Sequence, residues 1–284
     1  PAGTIANMVL PGACAARGLT GFRMLDCCFG ALAMMLPDKV FAASDGGNTG
    51  ISIGGYDKDR NPFIYVDFTC GTWGGRPFAD GLDGNSNMGA NMASTSVEIT
   101  EAEHPIEILS YEFVPDKAGA GKYRGGTPYR RDYRLLEEEA VLQVRSDRRD
   151  FRPYGLYGGY PGKPSLTFIN PTGKNDDPVP AKLTMTMKRG DVLRHELAGA
   201  AGWGDPLDRN PTAVLRDVRN EMISSTTAEN EYGVVIDMDH WTVDAEKTEV
   251  LRAEISQLRG WAEVPTVLRE DPPALAAKWR QAIR

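Results

Sequence analysis

The residues most able to do chemistry sit in one polar loop, Arg76-Pro-Phe-Ala-Asp80-Gly-Leu-Asp83-Gly-Asn85-Ser-Asn87, which gathers an arginine, two carboxylates and two amides among glycines that cannot build a core. Two readings of such a loop stand side by side. Asp and Asn close turns on their own backbone and need no ligand to do so. If the loop binds, Asp80 and Asp83 are the catalytic candidates, as polar contacts to substrate or as a general base. Arg76, Asn85 and Asn87 are then the substrate-binding candidates, with Arg76 steadying an anion. A second run, Arg145-Ser-Asp147-Arg148-Arg149, alternates its charges in the same way. Arg148 there either joins a solvated ion-pair strip or faces a ligand or an interface.

Other chemistries fail on spacing. Gly119-Ala-Gly-Lys-Tyr-Arg-Gly-Gly has the glycines of a phosphate loop and a lysine to complete the cradle. A Walker loop needs glycine where Asp116 stands and Ser or Thr where Tyr123 stands, so a tight turn between strands is the better reading. The histidines, His104, His195 and His240, are far apart, and Gly199 occupies the place where His195-Glu196 would need a second histidine. No metal is expected on this chain alone. His104, ahead of Pro105, reads as a strand-edge residue. There is no G-x-S-x-G elbow. Cys27 and Cys28 read as buried packing within an apolar helix, and Cys70, just before Gly71-Thr72-Trp73-Gly74-Gly75, as structural.

Those side chains need a scaffold, and 284 residues are enough to bury a core without disulfides or metal. With 41% hydrophobic and 25% charged residues, wholesale disorder is excluded. The net charge of −7 argues against nucleic acid and anionic lipid surfaces as partners. The cysteines, Cys14, Cys27, Cys28 and Cys70, lack zinc-knuckle spacing and fit the reduced thiols of a cytoplasmic protein. The most apolar stretch, Met24 to Leu36, is broken by Asp26, stopped by Pro37, and well short of the roughly 20 residues that span a bilayer. Its helical period, Met24, Leu25, Cys28, Leu32 and Met35, predicts a buried helix. No basic segment of a secretory signal opens the chain, and Pro1-Ala2-Gly3 is not a translation start, so a processed, split or truncated start is expected.

Along the chain, Pro1 to Gly21 suits an extended, polyproline-like path, and Ser44 to Ala93 is dominated by turns. Strands are expected at Phe63–Phe68, Ser96–Ile99, Ile106–Phe113, Tyr129–Leu136, Ala140–Ser146, Lys182–Met187 and Val192–Leu197. The run from Phe151 to Pro164 should form extended loops packed through aromatic rings. Beyond Gly199 the pattern turns helical: Asn210-Pro211 opens one helix, Ala245 to Arg259 forms another, and Tyr232 to Ile236 a short strand between them. The fold class that results is β-rich α+β, with antiparallel sheets in a barrel-like or sandwich arrangement, glycine-rich polyproline-like segments, and a small helical C-terminal region. The expected division is a β-rich core over 1–200 and a mainly helical region over 201–284.

Several segments, taken in order, resemble the hydantoinase B/oxoprolinase family: PAGTIAN, GALAMMLPDKV, GTWGGRPFADGLDGN, TSVEITEAEHPIEI, AGAGKYRGGTPYRRDYR, SDRRDFRPYGLYGG, RGDVLRHELAGAAGWGDPLDRNP, and the VLRDVRN and YGVV pieces. The resemblance runs the whole length but begins mid-domain, without the N-terminal half where the family carries its Asp/His metal-binding residues. It implies a subunit or fragment of an ATP-dependent complex. A hydantoinase A-like partner would carry ATP and Mg and phosphorylate a carbonyl or carboxyl oxygen, while this chain shapes the site for the activated small molecule. A divalent metal, Zn or Mn, would belong to the missing half, present as a separate chain or a missing segment. The implied reaction is hydrolysis of a cyclic amide of hydantoin or 5-oxoproline type. The alternatives are a ketone carboxylase subunit, of acetone or acetophenone type, or a purely structural assembly subunit.

Overall fold

The computed structural model describes residues 1–4, 7–13, 17–47, 49–174 and 176–282; Cys14 and part of the Pro1–Gly21 segment lie outside them. Period-two alternation builds most of the first two thirds. The strands are β1 (Thr49–Tyr56), β2 (Pro62–Thr69), β3 (Ile106–Phe113), β4 (Tyr129–Leu135), β5 (Glu139–Arg145), β6 (Gly155–Leu156), β7 (Leu166–Ile169), β8 (Lys182–Lys188) and β9 (Val192–Glu196). Two antiparallel sheets result, one in the order β2-β1-β5-β8 and one in the order β3-β4-β9-β7. They share one core, in which Ile51, Ile53, Leu142, Val144 and Met187 meet Ile106, Tyr133, Leu135 and Leu193. Each such side chain removed from water contributes about 1.5–3 kcal/mol.

Strand β2 reverses the usual polarity. Tyr65 and Asp67 point inward, and Ile64, Val66 and Phe68 are exposed. The inward acid is satisfied: Asp67 Oδ2 accepts from Arg131 Nη1 (2.7 Å), Tyr133 Oη (2.7 Å) and Tyr65 Oη (3.1 Å). The guanidinium of Arg131 in turn lies 4.0 Å from the Tyr111 ring centre.

Of the two arrangements expected, barrel-like or sandwich, a closed barrel is ruled out, since among the described residues each sheet has two unpaired edge strands, and the fold is mixed α+β rather than β-rich. Four local expectations are also corrected. Ser96–Ile99 is no strand: Ser96 caps helix α2 (Val97–Glu103) by accepting from the Ile99 amide, and the β-branched Val97 and Ile99 are carried in its first turn. Helix α1 spans Arg17–Ala33, starting inside the stretch expected to be extended and ending before Met34. It is not buried. Asp26 and Ala33 face inward, whereas Met24, Cys27, Cys28 and Leu32 are exposed, and Met35 beyond its end is 77% exposed. His104 is the C-cap of α2, its ring edge-on to Tyr65.

The C-terminal part holds α3 (Pro211–Arg219), α4 (Ser225–Tyr232), the two-residue strands β10 (Ile236–Asp237) and β11 (Thr242–Val243), α5 (Ala245–Arg259), β12 (Val267–Leu268) and α6 (Pro273–Ala282). Tyr232 closes α4 instead of opening a strand, because Gly233 takes the left-handed C-cap conformation at φ 63°. Val214, Leu215, Val218, Ala228, Tyr232 and Ile255 form a second core, which reaches the first part of the chain at Ala120 and Tyr160. Among the described residues no helix is long and apolar enough to cross a membrane.

Between sheets and helices, irregular segments are laid backbone against backbone. The Tyr160 amide donates to Ala120 O (2.7 Å), Gly202 N to Tyr160 O (3.0 Å), Gly119 N to Ala200 O (2.8 Å) and Gly126 N to Trp73 O (2.9 Å). Within the Gly119–Gly126 segment the amides of Gly119, Lys122, Tyr123, Gly125 and Gly126 are committed to backbone carbonyls and not offered to a phosphate. A Cβ at Gly199 would stand 1.7 Å from the Lys117 carbonyl oxygen, and one at Gly125 2.0 Å from that of Ala200. Gly199→Ala should therefore cost at least about 3 kcal/mol. By contrast Gly21→Ala, on exposed helix α1 with no atom within 4 Å of the added carbon, should stabilise by up to about 1 kcal/mol. Urea unfolding of both variants checks the pair.

Candidate functional site

The sequence-predicted site residues fall into two assemblies. The first holds Arg76, Asp80, Asp83, Asn85 and Asn87. Arg76 is turned onto its own loop, donating from Nε (2.9 Å) and Nη2 (2.6 Å) to Asp80 O. The Asp80 carboxylate is gripped by Arg209 through Nη1 (2.6 Å) and Nη2 (2.8 Å) and accepts from the Arg124 amide (2.8 Å). Asp83 Oδ1 accepts from Arg124 Nη1 (2.8 Å) and the Thr127 amide (2.6 Å). Asp217 on α3 completes the knot by receiving Arg209 Nη2 at 2.7 Å.

Burial pushes the Asp80 acid upward, but the Arg209 contact, with help from Arg124, outweighs it and holds the group below the usual carboxylate range. For Asp217 burial wins over both guanidiniums and the shift is upward. Asn87 is buried, its Oδ1 accepting from the Gly89 amide (2.9 Å). Asn85 stays exposed on the loop. Chemically, this assembly keeps the Asp80 carboxylate ionised and fixes the loop to the Arg124 segment and to α3.

The second assembly lies under α1 and includes Arg148. Its backbone is left-handed at φ 59°, and its buried guanidinium donates from Nη2 to Asp26 Oδ2 (2.5 Å) and from Nε to Asp45 O (3.2 Å). Arg23 joins the same group: Nη1 donates to Asp26 Oδ2 (3.1 Å), Nη2 to Asp45 O (2.6 Å) and Nε to Asp147 Oδ2. The Asp45 carboxylate is fully enclosed and accepts from the Gly47 amide (3.2 Å). Burial lifts its pKa to about 7, against the pull of Arg23. Asp26 also moves up through burial, opposed by Arg148 and Arg23. In Asp147 burial acts upward too, yet Arg23 and the Arg148 amide prevail and keep it low.

Open space surrounds this cluster on two sides. A pocket of about 580 Å³ lies over Arg23 and Asp147, between α1 and strands β5 and β8. A larger one of about 1080 Å³, lined by Asp26, Arg148, Phe151 and Tyr154, separates α1 from the C-terminal residues 267–273. Behind Arg23 and Asp147 a chamber of about 10 Å³, with Asp45, Thr49 and Ser165 in its wall, has room for one water. The arrangement pairs a carboxyl able to change its charge near neutrality with cations and a carboxylate at the floor of a pocket.

Sequence reasoning singled out Arg148 and the loop as candidates but not Arg23, Asp26, Asp45, Arg209 and Asp217, which the structure places beside them. One signal was available, since Asp26 is an acid inside an apolar run. Among the described residues no group of three His, Cys, Asp or Glu is placed to hold a metal ion. His195 is buried between the hydroxyls of Thr167 (2.9 Å) and Thr49 (3.0 Å), and burial, aided by Lys117, lowers its pKa to about 3. These donors do not fit a metal.

A family model described as hydantoinase B/oxoprolinase matches residues 1–206. An uncharacterized protein of Methanocaldococcus jannaschii is 36% identical over 255 residues, covering 89% of this chain and 44% of its own length. The B subunit of a putative D-/L-hydantoinase from a Pseudomonas species is 30% identical over 254 residues, covering 89% of this chain and 42% of its own. Among solved structures, an ATP-dependent caprolactamase from Pseudomonas jessenii superposes with a TM-score of 0.75 at 26% identity, over 89% of this chain and 45% of its own. The chain thus spans less than half the length of these relatives.

Two measurements probe the assemblies. Asp80→Ala strips Arg209 of its bidentate partner inside a buried network and should cost about 3 kcal/mol in urea unfolding. The folded-state pKa of Asp45 lies above its unfolded value, so the folded protein binds the extra proton between them, and stability falls as pH rises from about 4 to about 7. Asp45→Asn should flatten that slope, gaining on the order of 3 kcal/mol over the parent at pH 8 relative to pH 4.

Proposed function

We propose, because the chain belongs to the hydantoinase B/oxoprolinase family, that it walls the substrate chamber of an ATP-dependent complex that hydrolyses a cyclic amide. The observation that carries this reading is the likeness to an ATP-dependent caprolactamase along most of the chain, since a caprolactam is a cyclic amide. The Pseudomonas relative, named for a hydantoinase, points to the same reaction class.

In this proposal a hydantoinase A-like partner holds ATP and Mg, and the remaining portion of the B-type chain completes the chamber. Phosphorylation of the amide oxygen turns it into a leaving group, which opens an otherwise unreactive carbonyl to water. This chain's own contribution is positional and electrostatic. Asp80 and Asp83 fix the 76–87 loop from behind, so that exposed Asn85 and the remaining Nη1 of half-buried Arg76, whose Nε and Nη2 are held by Asp80 O, are offered to substrate with little freedom left to lose. Asn87 braces the end of that loop. Arg148 and Arg23 hold Asp26 and Asp45 beneath α1, where Asp45 is able to take up or release a proton close to neutral pH.

Reconstitution of the complex with its ATP-binding and remaining B-type portions tests the reading. Nucleotide hydrolysis should depend on hydantoin, 5-oxoproline or caprolactam and proceed without bicarbonate. An obligatory need for ketone and bicarbonate would replace it with the carboxylase alternative. Asn85→Ala should raise KM at least about tenfold with an unchanged melting temperature. Intact turnover in Arg76→Ala, Asp80→Ala and Asp83→Ala alike, with assembly lost on truncation of the C-terminal helices, would leave only a structural role.

A further inference from the structure

The chain is acidic overall, with a net charge of −7, yet the pocket of about 580 Å³ between α1 and the outer face of β5 and β8 is cationic. Arg23, Arg145 and Lys182 line it against a single carboxylate, Asp147, and the hydroxyls of Thr20 and Thr184 complete its polar wall. Arg145 and Lys182 are direct cross-strand partners in the β5–β8 ladder. Like charges set opposite each other in this way repel and weaken the pairing. Among the described residues neither has an ion-pair partner, and Arg145 only donates from Nη2 to the neutral Gln143 Oε1 (2.9 Å). On its other flank β1 offers Gly50, overlaid by the uncharged Phe68 ring, so no acidic side chain neutralises the charge from that position. Arg23, in contrast, is fixed by Asp26, Asp147 and the Asp45 carbonyl, and forms a rigid floor.

An unrelieved cation pair is relieved by an anion placed between its members, and Arg23, already paired, serves as a fixed wall of the pocket. We propose that this pocket is a binding site for a small anion, with a phosphoryl or carboxylate group seated between Arg145 and Lys182 over Arg23. Thr20 and Thr184 supply neutral donors at its rim. Phosphoryl activation of a cyclic amide creates the first kind of group, and ring opening by water the second; this assignment of the anion's origin rests on the cyclic-amide reading, while the anion site itself does not.

Isothermal titration of inorganic phosphate, and separately of acetate, into the 284-residue chain reads the site without any ATP turnover. Its failure is therefore distinct from failure of the hydrolase assay. Saturable one-to-one binding is expected, tighter for phosphate if the natural group is phosphoryl and tighter for acetate if it is a carboxylate. Lys182→Gln should weaken it at least about tenfold. Lys182→Glu should abolish binding and at the same time raise the melting temperature, because Arg145 then gains an opposite charge. The exposed strand position of residue 182 lets both variants fold. Absence of saturable heat with either anion, or binding that survives Lys182→Glu, overturns the proposal.

Discussion

Everything in this molecule hangs on main chain lying directly against main chain, with only hydrogen atoms between. At Gly125, Gly159, Gly162, Gly199 and Gly202 a Cβ would stand about 2 Å from a carbonyl oxygen or closer. No rotamer change relieves such a contact. The benefit of this proximity is that irregular segments, which cannot pair as sheets, satisfy their buried amides and carbonyls on one another. The segment around residues 117–126 is thereby locked to the stretches at 155–163 and 198–204. These stretches join the sheet sandwich to the C-terminal helices.

On that frame the chain sets two buried ionic groups, and each ties residues distant in sequence. Asp80 and Arg209 are 129 residues apart, and Asp26 and Arg148 are 122 apart. Removing these charges from water is costly, and only the density of guanidinium, amide and hydroxyl partners offsets it. The offset is uneven. In the loop knot Asp80 keeps its charge, whereas under α1 Asp45, with its carboxylate more sparsely supplied, is left near the point of protonation. The same chemistry thus yields one site suited to holding shape and another suited to exchanging a proton.

The strands were legible because period-two alternation is local: β3, β4, β5, β8 and β9 fall within a residue of the expected bounds. Strand β1 was hidden by Gly50, Gly54 and Gly55, and α2 by its β-branched first turn. At the candidate site, composition marked the 76–87 loop and Arg148 but said nothing about their partners. Arg209, Asp217 and Arg23 are found by topology, which no window of neighbouring residues encodes. The apolar period of α1 was read correctly as helical, yet apolar does not mean enclosed: the inward face is instead the one that carries Asp26.

The inverted polarity of β2 has a colloidal consequence. The strand terminates its sheet, with hydrogen-bonding groups along its outer side and Ile64, Val66 and Phe68 bared in a row. Such a border is a template for further strands of any origin. A concentrated stock is accordingly open to association along this border, and added buffer salt weakens the mutual repulsion between acidic molecules that slows such encounters.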